Sequence, residues 1–97
     1  MKNEIDQSSF ERIAQRIRWL RMDKGLSQIE FAESINVSKT TYNNWETAKQ
    51  QLSIDGAKKI NATYLTSLDF LYLGRSDTLP NHLLKSWLEY DKVNNSR

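Results

Sequence analysis

The chain has 97 residues, 38% hydrophobic and 27% charged, with a formal net charge of +2 and an isoelectric point near 9.0. That length allows one core rather than two, and that balance belongs to a folded soluble protein rather than a disordered one. The absence of cysteine excludes disulfides and thiolate metal sites. No apolar run approaches the roughly 20 residues of a membrane span and no secretory leader is legible, so a cytoplasmic location is expected.

A first helix is expected from Ser8, because Ser8 and Glu11 have the spacing of a capping box. Phe10, Ile13, Ala14, Ile17 and Leu20 then recur at three-four intervals, the rhythm of one buried stripe, and Gly25 ends the run. A second capping box, Ser27 with Glu30, opens a short helix carrying Phe31, Ala32 and Ile35. Asn36 follows where a left-handed turn is needed, and Ser38 is the expected cap of a third helix reaching Ala48 or Lys49. Two short helices joined by so tight a turn form a helix-turn-helix unit.

A fourth helix is expected from Ser53 through Tyr64, and a fifth from Thr66 or Ser67 to a stop at Gly74. After a polar connector, Pro80 sits in the first turn of a last helix ending near Asp91, with Leu79, Leu83, Leu84, Trp87 and Leu88 on one stripe and a frayed tail beyond. The expected class is all-α, with residues 1–74 as the helix-turn-helix domain and 75–97 as connector and C-terminal helix.

Enzymatic chemistry has little material here, and no cofactor or metal is expected. His82 is the single histidine, the three glycines are scattered, and no spacing selects a carboxylate pair. The third helix carries the functional signal instead. Tyr42 and Trp45 fall on its inner side, while Thr40, Asn43, Asn44 and Thr47 fall on the other, with Lys39 at the flank. A merely solvated face is normally filled with strong helix formers, and Asn and Thr are not among them. Short amides and hydroxyls suit base edges, since Asn bonds adenine bidentately and the Thr methyl meets the thymine methyl. The alternative is a poorly optimised solvent face. Glu46 and Arg21 both fall on inward faces, where either charge alone is expensive, so they are expected to pair; the alternative is that each reaches solvent separately.

The stretch from Arg16 to Gly74 resembles the lambda-repressor/Cro-like, or XRE, helix-turn-helix family. The resemblance rests on Ile17-Arg18-Trp19-Leu20-Arg21, Gly25-Leu26-Ser27-Gln28, Phe31-Ala32, Val37-Ser38, Trp45-Glu46, Lys59-Ile60 and Leu68-Asp69-Phe70-Leu71. It implies a five-helix bundle, here with one additional C-terminal helix, whose third helix enters the major groove. Matched positions imply base contacts from Lys39, Thr40, Asn43 and Asn44. They imply phosphate contacts from Ser27, Gln28, Ser38, Thr47 and Lys49, and an ion pair between Arg21 and Glu46. Departures are Asn36 in place of a turn glycine, Leu65 where a glycine often ends helix 4, and Lys49-Gln50-Gln51-Leu52 without the usual Gly and Pro.

The implied partner is double-stranded DNA with a palindromic operator, bound by a homodimeric regulator, most simply a repressor. Two alternatives stay open: an antitoxin whose toxin partner grips part of the same surface, and an interaction module that lost DNA binding. The expected dimer interface is Leu83, Leu84, Trp87 and Leu88 with Phe70 nearby. Trp19 lies off the main stripe of the first helix and needs cover from another element; the bland alternative is that the last helix folds back to provide it.

Overall fold

The computed structural model describes residues 6–95. The element order is α1 (Phe10–Asp23), α2 (Gln28–Ser34), α3 (Lys39–Glu46), α4 (Ile54–Tyr64), α5 (Leu68–Leu73), a 3-10 turn (Ser76–Thr78) and α6 (Asn81–Asn95). The described residues are all helix and connection, as the sequence pattern requires.

Serine caps set most of the helix starts. Ser27, Ser38, Ser53 and Ser67 each accept a hydrogen bond from the backbone N–H three residues on, and Ser27 and Glu30 complete the reciprocal box. The first helix differs by one residue from expectation. Asp6 accepts from both the backbone N–H and the hydroxyl of Ser8, at 2.9 and 2.7 Å, so Ser9 becomes the cap and accepts from Arg12. At the other end, α3 stops at Glu46, before the expected Ala48. Ala48 takes a left-handed φ of 64°, and the chain reverses so that the N–H of Gln50 reaches the carbonyl of Asn44 at 3.1 Å. The following loop is pinned by Leu52, which is buried and whose carbonyl accepts the Tyr72 hydroxyl at 2.5 Å. The last helix runs four residues past the expected end near Asp91.

Ile13, Ala14, Ile17 and Leu20 bury the stripe of α1 against α3, α5 and α6. Phe31 of α2 lies between Tyr42 and Tyr64, with ring centroids 5.1 and 4.9 Å away, and is stacked on Tyr64. Gly56 is where α4 passes Trp45: a Cβ there would stand 2.3 Å from the indole. A helix-interior glycine costs about 1 kcal/mol, and the close approach explains why one is used.

The stripe of α6 closes this same core, which corrects the expected dimer interface. Phe70 and Leu83 are fully buried and Trp87 is 6% exposed within the single chain. Trp87 packs edge-on against Trp19 and Phe70, at 5.3 and 5.1 Å between centroids, and so provides the cover Trp19 needs. The Trp19 indole N–H donates to Ser86, whose hydroxyl donates to Asp23 at 2.6 Å, tying α6 to α1. Of the expected interface, only half-buried Leu84 and exposed Leu88 remain available. The physical reason is that one apolar stripe serves equally against its own bundle or another chain, and here its own bundle has the unfilled face.

Arg16 is an unforeseen member of the interior. Its guanidinium donates to the Leu71 carbonyl at 3.0 Å and to Gln7 at 2.8 Å. Burial first, and then the nearby Arg12 charge, lower its pKa to about 10 against the opposing pull of Asp91. Gly74 makes room for it, because a Cβ there would meet the guanidinium at 2.8 Å and φ is +75°.

Candidate nucleic-acid interface

Asn36 adopts φ 57° between α2 and α3, and the Val37 N–H returns to the Ala32 carbonyl at 2.9 Å. This closes the turn tightly enough to present α3 as a ridge on the surface. Tyr42 and Trp45 anchor the ridge from beneath, 0% and 4% exposed. Lys39, Thr40 and Thr47 stand exposed on the outer side, with Asn43 and Asn44 half-buried beside them.

The ridge is held from below by a polar cluster centred on Glu46. Arg21 grips the carboxylate with two parallel bonds, Nε to Oε2 at 2.8 Å and Nη2 to Oε1 at 3.0 Å. The Gln28 amide donates to Oε1 at 2.9 Å, and the Tyr42 hydroxyl donates to Oε2. Burial alone raises the Glu46 carboxyl, but hydrogen bonds from Arg21, Tyr42 and Gln28 with the Arg21 charge outweigh it and hold the pKa below the ordinary value. The same contacts act in reverse on the partners. The Glu46 bond raises the Arg21 pKa, while burial and then Glu46 raise that of Tyr42. Arg21 also donates to the Leu26 carbonyl at 3.0 Å, so one guanidinium joins α1, the loop before α2, and α3.

The remaining predicted site residues differ in what they have free. Lys39 is exposed at the start of α3, and Lys49 is exposed in the loop beyond its end. Ser27 accepts from Glu30 N–H and keeps its own hydroxyl hydrogen for an outside acceptor. The Ser38 hydroxyl is already donated to Thr41, and that of Thr47 to the Asn43 carbonyl at 2.8 Å. Gln28 is the most committed, with its amide nitrogen on Glu46 and its oxygen accepting from Asn43 at 3.3 Å.

Sequence reasoning missed three participants. Tyr42 reaches Glu46 along one helix face, a four-residue spacing that was available to see. Arg18 sits beneath the end of α3 and donates to the Glu46 carbonyl at 3.5 Å; its three-residue offset from Arg21 was the only signal. Ala48 carries the left-handed turn beyond α3, and nothing local marks it.

A surface ridge of short hydrogen-bonding side chains, rigidly backed and flanked by lysines, defines the helix-turn-helix class of DNA-binding regulators. The helix-turn-helix family profile matches residues 17–71, more than half of the chain, and the chain belongs to the lambda-repressor/Cro-like branch of that class. It is 37% identical over 62 residues to "Repressor protein CI" of Enterobacteria phage phi80, a match covering 64% of this chain. The matched region is 26% of that repressor, so the chain corresponds to about a quarter of its relative. No solved structure gives a significant match. No helix among the described residues is long and apolar enough to cross a membrane.

Proposed function

We propose that this protein is a sequence-specific DNA-binding repressor that inserts α3 into the major groove, with Lys39, Thr40, Asn43 and Asn44 reading base edges. The observation that carries this reading is the outer face of α3. Four side chains of the types that recognise bases stand together there, on a helix whose inner face is fixed by Trp45 and the Glu46 cluster. Ser27, Lys49 and the second amide hydrogen of Gln28 flank that ridge as contacts to phosphate, with Ser38 and Thr47 acting there after their hydroxyls turn outward. Similarity to a phage repressor supports repression over activation.

The protein acts in the cytoplasm as a homodimer on a palindromic operator, because one short helix spans few base pairs and specificity comes from two half-sites about one helical turn apart. Selection from a random duplex pool tests the reading. Enrichment of a defined sequence with two related halves is expected. Binding that depends on salt but enriches no sequence would leave only non-specific DNA attraction.

A further inference from the structure

We propose that Glu46 fixes the direction of the Asn43 amide through Gln28, so that Gln28 is a positioning residue for base readout and Asn43 discriminates adenine from guanine. The inference rests on the DNA-binding reading above and adds which chemical edge the site selects.

The chain of reasoning starts from a group that can only accept. An ionised carboxylate has no hydrogen to give, and its contacts hold Glu46 ionised. The Gln28 atom 2.9 Å from Oε1 is therefore the nitrogen, since a flipped amide would place two oxygens in contact. Gln28 Oε1 is thereby turned toward α3, where it accepts from Asn43 Nδ2 at 3.3 Å. Flipping Asn43 would again bring oxygen against oxygen. The polarity set by one buried charge passes through two amides to the surface.

What remains on Asn43 is its whole carbonyl oxygen and one amide hydrogen, side by side. The major-groove edge of adenine offers the complement, an N6 amine and the N7 acceptor. Guanine offers O6 and N7, two acceptors, and would set O6 against the Asn43 oxygen. An unclamped asparagine escapes that clash by rotating its amide and donating to guanine. The clamp removes the escape, which makes Gln28 a determinant of specificity without requiring it to touch a base. A Gln28 that only held phosphate would affect all sequences alike.

The test uses the full chain. Duplexes enriched by the wild type identify the base pair whose preference disappears in Asn43→Ala; fluorescence anisotropy then compares adenine with guanine at that pair. The wild type is expected to favour adenine by about tenfold or more. In Gln28→Met that ratio should fall to within about twofold, while preferences at the other base pairs hold within about twofold. Gln28→Leu serves the same purpose should the Met variant melt below the assay temperature, as read by circular dichroism. An unchanged ratio, or an even loss on every sequence, overturns the proposal and leaves DNA recognition standing. Guanine preferred at the Asn43 pair in the wild type does the same. A wild type that enriches no sequence overturns the DNA-binding reading and this inference with it.

Discussion

The indoles of Trp19 and Trp87 meet edge-on, with ring centroids 5.3 Å apart and planes at 70°, and both lie almost wholly inside one chain. One tryptophan comes from the first helix and the other from the last, so the C-terminal segment completes the core that supports the helix-turn-helix. Trp87→Ala should therefore destabilise the monomer by about 3–5 kcal/mol in chemical denaturation, as buried aromatic truncations do. A loss under about 1 kcal/mol at concentrations where the protein is monomeric would show α6 to be only loosely attached.

The Glu46 cluster predicts both a coupling and an acid sensitivity. Removing Arg21 leaves a buried carboxylate without its cation, so Arg21→Met should cost about 3–5 kcal/mol, with clear coupling to Glu46→Gln in a double-mutant cycle. The Glu46 carboxyl is held below its ordinary 4.5 in the folded state. Its contribution is therefore fully present above about pH 4.5 and fades as pH falls through the lower folded value. Acid-unfolding curves of Glu46→Gln should lack that component. Identical acid dependence in wild type and variant would contradict the ionised cluster.

Backbone strain at two positions and close packing at a third give predictions of opposite sign. Ala48 and Leu65 hold φ values of 64° and 58°, a region that costs a side-chain-bearing residue about 1–2 kcal/mol. Leu65 is 64% exposed and loses little packing on truncation. Ala48→Gly and Leu65→Gly should each raise stability by about 1 kcal/mol, offset in part by the entropy of the unfolded chain. Gly56→Ala should instead lower it by about 1–3 kcal/mol despite improving helix propensity, because the new methyl displaces Trp45. Thermal melts of the three variants would separate the two mechanisms.

These same positions show how far the sequence could be read. Caps such as Ser27 with Glu30 are local, since partners three residues apart settle them, and they were legible. Spacing to Glu11 pointed to Ser8 as the first cap, and that reading fails by one residue because Asp6 engages Ser8 and leaves Ser9 to accept from Arg12. The end of α3 was hidden because alanine favours helix; the stop comes from a loop that turns to bury Leu52. The α6 stripe was plain, but which surface it covers depends on the unfilled face beside Trp19, a property of the assembled bundle. Gln28 was recognisable as the first residue of α2, yet its bonds join α2 to two residues of α3, and no periodicity within one helix reveals such a contact.

The proposed homodimer has a narrower surface to use than the sequence pattern offered. Leu84 is half-buried and Leu88 is 50% exposed, one turn apart on the outside of α6. Sedimentation equilibrium at micromolar concentration should show a dimer that Leu88→Asp dissociates without lowering helix content. A wild-type monomer that binds its operator as a single copy would contradict the proposed homodimer.

Sequence recognition through α3 is tested most directly by comparing Asn44→Ala with the wild type on the selected duplex and on a scrambled duplex at one fixed salt concentration. The account predicts a loss of roughly 1–3 kcal/mol on the selected duplex and none on the scrambled one, as expected of a side chain proposed to read a base edge rather than hold phosphate. Equal losses on both duplexes, or no loss on either, would contradict it.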